Sequence, residues 1–443
     1  MKQEGSGGPA SFLADALGQL DPAIASILEK ALLGHEISAE EGAQLLQAQG
    51  RELTFIALVA DELRRSRVGD IVTYVVNRNI NYTNVCIKRC GFCAFSRDFR
   101  SEEGYFLPLE EIVRRAKEAW ALGATEVCIQ GGLPPKLDPY FYEKICRAIK
   151  AELPDLHIHA FSPEEIKYGA SLAGVGVEEY LKALKEAGLG SLPGTAAEIL
   201  DDELRDYISP GRIRTDEWVR IIKAAHRLGL PTTATMMFGH LETPSQQARH
   251  IALIREIQKE TGGFTEFVPL SFMYWEAPMY KLGRVAGKPI RGLRKGASGA
   301  EVLKVHAVAR IMLNRHIRNL QVSWVKEGPK LAQLCLNAGA NDLGGTLINE
   351  SISTAAGASY GQLMRPKEFR RLIREMGRVP AERSTTYRLL KVFRGDEEPE
   401  EPLDTVPYDE ERFGSYQRLI RIREFRFSEL LGQGLGQQRA QER

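Results

Sequence analysis

The stretch NRNINYTNVCIKRCGFCAF, residues 77–95, joins a short strand pattern to a loop that carries Cys86, Cys90 and Cys93 in C-x3-C-x2-C spacing. Three cysteines within eight residues are poorly placed for mutual disulfides, and six in 443 residues are too few for a disulfide scaffold. Such clustering points to metal chemistry. Three thiolates can hold three corners of a four-iron, four-sulfur cube and leave one iron open to an exogenous ligand. Structural zinc would need a fourth ligand, and the nearest further His and Cys in sequence are His35 and Cys128. A redox pair of Cys90 and Cys93 would leave Cys86 unexplained.

Outward from this loop, short apolar runs alternate with helical stretches from residue 71 onward, the pattern of βαβ units and a parallel sheet. The predicted strands are Ile80–Asn84, Glu126–Gly131, His157–Ser162, Gly190–Pro193, Thr232–Phe238, Glu266–Phe272, Leu320–Val325 and Asp342–Leu347. Helical spacing fills the segments between them, as in Pro108–Leu122, Glu178–Ala187, Asp216–Leu228, Thr243–Thr261, Ala300–Asn314 and Pro329–Ala338. Eight such repeats predict an α/β fold, a (β/α)8 TIM-type barrel, with the cysteine loop at the C-terminal end of its first strand. Barrel enzymes place their active sites on that face.

The expected organisation is a disordered N-terminus (1–10), a helical N-terminal cap (11–70), the barrel (71–360), a closing segment (361–390), and an acidic linker, helix and frayed tail (391–443). Ser38 with Glu41 forms a capping box within the cap. The C-terminal helix is expected over 408–432, burying Phe413, Tyr416, Ile420, Phe427 and Leu431. The basic, Gly-rich run KLGRVAGKPIRGLRKGASG (281–299) interrupts the repeat and reads as a surface loop.

Lys and Arg number 59 against 58 Asp and Glu, so no global field draws the chain to nucleic acid or an acidic membrane. Apolar runs such as Phe55–Ala60 fall far short of the ~18 residues needed to span a bilayer, and MKQEGSGGPA has no apolar signal core. These features predict a cytoplasmic protein without nucleic-acid or membrane partners.

With Phe92 at the aromatic position, the cysteine loop resembles the C-x3-C-x-aromatic-C signature of the radical S-adenosylmethionine (SAM) superfamily. The resemblance implies one 4Fe-4S cluster on Cys86, Cys90 and Cys93, whose open iron is chelated by SAM. One electron then cleaves SAM to a 5'-deoxyadenosyl radical. It further implies that Phe92 lies near the adenine and that Gln130, Gly131 and Gly132, at the end of the second strand, bind SAM. The family carries a Gly-Gly-Glu type motif there, and the acidic member is missing here. Glu198, after the fourth strand, sits where related enzymes contact SAM. Alone, Gly131 and Gly132 fit a tight turn as well, and together with the cysteine loop they favour SAM binding; Glu198 also reads as a solvent-facing helical residue.

A closer resemblance covers residues 30–390. HIHAFSPEE (157–165), GLGSLPGTAAEILDDE (188–203), TTATMMFGHLETP (232–244), GGFTEFVPLSF (262–272), EAPMY (276–280) and NAGANDLGGTLINESIS (337–353) resemble the tyrosine-dependent 4-hydroxybenzyl transferase family of deazaflavin biosynthesis. That resemblance implies hydrogen abstraction from the amino group of L-tyrosine, Cα–Cβ cleavage, and addition of the 4-hydroxybenzyl group to carbon 5 of 5-amino-6-(D-ribitylamino)uracil. The by-products would be 2-iminoacetate, 5'-deoxyadenosine and methionine. It also implies an electron donor and a second radical SAM enzyme that closes the deazaflavin ring of coenzyme F420, since this chain has a single cysteine loop. Radical SAM enzymes of the futalosine route to menaquinone share NINYTN and FGHxET and are the alternative; VPLSF and EAPMY favour the deazaflavin family.

Asn79 and Asn81 alternate on the first strand, where a lumen that merely needed filling would use Val, Ile or Leu, so both are candidate substrate contacts. His159 shares a strand face with His157 and Phe161, and with Ser162 at the strand end it is a candidate for substrate contact or proton transfer. A core histidine bonded to a carbonyl is the other reading. His240 and Glu242 after the fifth strand, and Asn341, Asp342, Asn349 and Glu350 around the eighth, are further candidates that read also as turn or capping residues. Cys128, Cys146, Cys335, Trp324, Met236 and Met237 read as core.

Overall fold

The computed structural model describes residues 17–396, 398–407 and 413–429. The expected disordered residues 1–10, Leu431 and the frayed tail lie outside the described residues. The strands are β1 (Ile71–Val75), β2 (Asn77–Ile80), β3 (Glu126–Ile129), β4 (His157–Ala160), β5 (Thr232–Phe238), β6 (Phe264–Ser271), β7 (Arg284–Val285), β8 (Lys288–Pro289), β9 (Asn319–Leu320), β10 (Asp342–Gly345), β11 (Val379–Arg383) and β12 (Leu389–Val392).

Parallel pairing runs around a ring. β2 pairs with β3 and β3 with β4. His159 of β4 bridges Ser191, and Leu192 bridges Thr232 of β5. β5 pairs with β6 and β6 with β9, Gln321 bridges Asp342 of β10, and β10 pairs with β1, which runs straight into β2. The expected fourth strand, Gly190–Pro193, therefore survives only as isolated bridges, because Pro193 has no N–H to donate to a ladder. β11, absent from the eight predicted strands, pairs parallel with β1 from Ile71 to Tyr74 and returns through β12.

Helices cover the outside. Leu109–Ala121 buries Ile112, Ala116 and Ala119, and Thr215–Arg227 buries Trp218, Ile221, Ile222 and Ala225, the i, i+3, i+4 stripes of an amphipathic helix. The N-terminal helices Ala39–Gln47 and Arg51–Val68 sit on the flank of the barrel, against Pro244–Thr261 and Gly299–Leu313. Lys304 donates to the Ala48 carbonyl and Arg255 to that of Ile37, both at 2.8 Å.

The expected C-terminal helix over 408–432 is broken among the described residues into Tyr416–Leu419 and a single turn at Arg423–Phe425. The chain spreads to bury aromatic side chains at the cysteine loop instead: Tyr416 packs on Phe95 at 5.6 Å and Phe427 on Phe106 at 6.2 Å. Among the described residues no helix is long and apolar enough to cross a membrane.

Candidate active site

The loop after β2 is pinned by its own backbone. Cys86 N–H donates to Arg97 O at 3.1 Å, Ile87 N–H to Leu133 O at 2.8 Å, and Gly91 N–H to Ile208 O at 2.8 Å. Two glycines let neighbouring chains approach: a Cβ on Gly91 would lie 2.3 Å from a Val285 methyl, and one on Gly132 would lie 2.2 Å from the Val85 carbonyl oxygen. Cys86, Cys90 and Cys93 are free thiols, Cys90 buried and the others half-buried. They share a cavity of about 230 Å³ with Phe92, Gln130, Gly131, Gly132, Ser162, Glu165 and Glu198.

This donor set fits an iron-sulfur cluster. Among the described residues no three His, Cys, Asp or Glu side chains converge as a single metal ion requires. Ligands at the corners of a cube stand further apart than that. Burial pushes the Cys90 thiol up to about 12, so its thiolate needs cationic company. Arg212 supplies part of it: its Nη1 donates to the Cys90 sulfur at 3.5 Å and to Glu198 Oε1 at 3.0 Å, and its guanidinium lies 5.4 Å from the centre of the Phe92 ring. Glu198 Oε2 is buried without a hydrogen-bond partner, with Arg205 3.5 Å away. Glu198 is thus an enclosed carboxylate on a left-handed residue (φ 41°), not a solvent-facing helical one.

The turn at 130–132 gains across space the acid it lacks in sequence. Glu165 accepts from Gly131 N–H at 3.0 Å, from Tyr82 Oη at 3.0 Å and from Ser162 Oγ at 2.7 Å. Burial raises its carboxyl to about 7. Ser162 is therefore the cap of the helix Pro163–Ala173, in a capping box with Glu165, and its hydroxyl is already engaged. Gln130 accepts from Thr195 Oγ1 at 2.9 Å and donates to Cys128 Sγ at 3.5 Å.

Below the cavity lies a polar lumen. Register places Asn79, Cys128 and His159 in one row and Asn77, Glu126 and His157 in the next. Cys128 is therefore a half-buried lumen residue rather than core, whereas Cys146, Cys335, Met236 and Trp324 are buried in the core and Met237 is half-buried. Ser191 Oγ lies 2.7 Å from both His157 Nε2 and His159 Nδ1. Burial lowers the His159 imidazole to about 4 and keeps it neutral at pH 7. Phe161 leaves this face: at φ 62° it turns to stack on Tyr142 at 4.3 Å. Asn79 donates to Glu350, Asn81 to Gln130 O at 3.0 Å, and the amide oxygens of Asn79, Asn81 and Asn349 are buried without a partner.

Four candidates lie away from the cavity. His240 and Glu242 brace the loop after β5: Glu242 accepts from Gly239 N–H at 2.6 Å and His240 N–H at 2.9 Å and pairs with Arg294 at 2.5 Å. Asp342 binds Arg383, Nε to Oδ2 at 2.5 Å, and accepts from Thr73 Oγ1 at 2.5 Å in the barrel floor. Asn341 is likewise structural, accepting from Arg310 at 2.7 Å. Conversely, Glu165, Arg212 and Lys326 are not singled out by the sequence and arrive from three separate segments. Burial lowers the Lys326 ammonium, and Glu350 and Glu327 act on it electrostatically. No hydrogen-bond or ion-pair partner engages it among the described residues.

The radical SAM superfamily pattern matches residues 80–254, and the CofH/MqnC C-terminal region matches 261–395. Two proteins named 5-amino-6-(D-ribitylamino)uracil--L-tyrosine 4-hydroxyphenyl transferase are similar along nearly their whole length. That of Methanothermobacter thermautotrophicus is 51% identical over 362 residues, covering 82% of this chain and 96% of that protein. That of Methanocaldococcus jannaschii is 52% identical over 360 residues, covering 80% and 98%. Among solved structures, methylornithine synthase has TM-score 0.61 and 20% identity (80% of this chain, 97% of that one). The hydrogenase maturase HydG of Carboxydothermus hydrogenoformans has TM-score 0.62 and 17% identity (86% and 85%), and both show the fold alone. A radical SAM barrel implies a 4Fe-4S cluster, SAM and a source of electrons, and the three-thiol cavity has the donors for the first. The chain belongs to the radical SAM superfamily and, within it, to the family of 5-amino-6-(D-ribitylamino)uracil--L-tyrosine 4-hydroxyphenyl transferases.

Proposed function

We propose that this chain is the radical SAM transferase that moves the 4-hydroxybenzyl group of L-tyrosine onto carbon 5 of 5-amino-6-(D-ribitylamino)uracil. The observation that carries this reading is the three-thiol cavity joined through Gln130, which lines it, to the polar strand row of Asn79, Cys128 and His159, in a chain about half identical to relatives named for that substrate pair. Cys86, Cys90 and Cys93 would hold one cluster, which together with SAM would supply the one-electron chemistry for hydrogen abstraction.

The chain's own residues bind and orient. Phe92, the 130–132 turn and Glu198 line the cofactor side of the cavity. The partnerless amide oxygens of Asn79 and Asn81 accept from N–H groups of the uracil and its amino substituents. Neutral His159, fixed by Ser191, presents a ring nitrogen that accepts or donates without charge. Lys326 has three unused donors for an anionic group such as the tyrosine carboxylate. Radical species call for a site that keeps water and oxygen out.

A second radical SAM enzyme takes the adduct on to ring closure, neither nucleic acid nor membrane takes part, and unpaired thiols for a cluster call for the reducing cytoplasm. Anaerobic reaction of reconstituted enzyme with SAM, dithionite, L-tyrosine and the aminouracil tests the proposal. A hydroxybenzyl adduct that disappears when either substrate is omitted, and when all three cysteines are Ala, is the expected result. Deoxyadenosine without adduct would reject the substrate pair and direct attention to futalosine-type substrates.

A further inference from the structure

The cysteine loop separates two cavities. The inner one opens to the barrel. On its other side lies a depression of about 770 Å³ open to solvent, and Cys86, Lys88, Cys90 and Ser96 line both. The outer depression reaches the ligand side chains through a wall one loop thick, and neither the 130–132 turn nor Glu198 lines it.

One side of it is lined by Leu282, Arg284, Val285 and Ala286, the start of the basic run that interrupted the barrel repeat. Met279 N–H donates to Gly91 O at 2.7 Å, and Val285 packs on Gly91 so closely that no Cβ fits between them. The β7–β8 hairpin is thereby seated on the cysteine loop. Arg284, Lys288, Arg291 and Lys295 are exposed, and among the described residues none of them has a carboxylate within ion-pair distance, whereas Lys281 and Arg294 are paired with Glu276 and Glu242. Arg89 is also exposed at the rim, paired with Asp98 at 3.1 Å. Two exposed apolar side chains line the depression beside Arg89 and Arg284, Ile87 47% exposed and Leu282 62% exposed. In a chain of net charge +1 this is a local concentration of unpaired positive charge around an apolar centre.

We infer that this face is the docking site of a small acidic one-electron carrier protein of the ferredoxin class, which delivers the electron to the cluster through the cysteine loop. The inference rests on the cluster reading of Cys86, Cys90 and Cys93. One electron leaves the carrier and enters the cluster; no bond forms or breaks and no atom moves. Charge complementarity selects the partner: acidic carriers are steered to a basic rim, and Ile87 and Leu282 provide the desolvated contact that follows.

The test uses the cluster-loaded enzyme and its R284E/K288E/R291E variant, three surface residues outside the active site. Reduction by a reduced acidic ferredoxin is followed by stopped-flow absorbance, and the EPR signal at equilibrium with excess dithionite serves as control. The parent rate should fall steeply with salt, and the variant should be slower by about tenfold or more at low salt, with an unchanged dithionite end point. A variant reduced as fast as the parent, or a parent rate indifferent to salt, overturns the docking site. If dithionite produces no reduced-cluster signal in either protein, the cluster reading itself has failed.

Discussion

The guanidinium of Arg212 lies against the sulfur of Cys90, Nη1 to Sγ 3.5 Å, while the same nitrogen donates to Glu198 at 3.0 Å. A buried cation beside a cluster ligand stabilises the extra negative charge that reduction adds. A hydrogen bond from a charged group contributes about 1.5–3 kcal/mol, and for one electron a tenfold change in equilibrium is about 59 mV. Arg212→Gln should therefore lower the cluster midpoint potential by about 60–130 mV with iron content retained, and Arg212→Lys should recover part of the loss. An EPR-monitored redox titration decides it; equal potentials in parent and Arg212→Gln would reject the role.

Gly132 is fixed by contact rather than by conformation. A Cβ there would sit 2.2 Å from the Val85 carbonyl oxygen and 3.0 Å from Cys86 Cβ. The backbone must move, at a cost of about 1–3 kcal/mol for such overpacking. The displacement falls on the first cluster ligand. Gly132→Ala should fold, judged by circular dichroism, yet retain several-fold less iron per chain after reconstitution. Full iron occupancy would show that the turn tolerates the shift.

What the sequence reveals here is what lies within a few residues. The three cysteines, Phe92 and the 130–132 turn are legible because their spacing is local, and Asn79 and His159 because strand alternation is a period of two. Glu165, Arg212 and Lys326 are not, since they belong to three separate segments, the first turn of Pro163–Ala173, the connection between Asp202–Ile208 and Thr215–Arg227, and the helix Trp324–Glu327, which only the folded ring brings to one side. β11 escapes detection for another reason: VPAER carries Pro, Glu and Arg, and its buried charges are satisfied by residues far away in sequence, Arg383 by Asp342. His240, Glu242 and Asp342 are the converse case. Polar residues at strand ends look like ligand contacts until their partners prove to be a loop and a barrel floor.

The floor itself yields a test. Arg383 and Asp342 are fully enclosed and joined by two hydrogen bonds, at 2.5 and 3.1 Å. Removing one member of such a pair leaves a buried uncompensated charge, which costs about 3–5 kcal/mol. Asp342→Ala should lose that much stability in chemical denaturation, with KM for both substrates unchanged in the protein that remains folded. A raised KM at parental stability would restore Asp342 to the substrate site.

His306 provides the pH dependence. It is buried in the helix Gly299–Leu313, its Nδ1 lies 2.8 Å from the Val302 carbonyl, and its Nε2 has no partner among the described residues. Burial lowers it to about 4 from 6.5. As pH falls, the unfolded chain takes up the proton first, so the stability is complete above pH 6.5 and drains away between 6.5 and 4. By pH 5 the loss from this one ring amounts to about 2 kcal/mol. His306→Leu keeps an apolar side chain in the site and removes the titration. Relative to the parent, its stability in urea should therefore improve by about 2 kcal/mol on going from pH 7 to pH 5. The parent will still lose stability through His226 and His250, which burial lowers in the same way. A parent-to-variant difference independent of pH would mean that the His306 ring is not buried neutral.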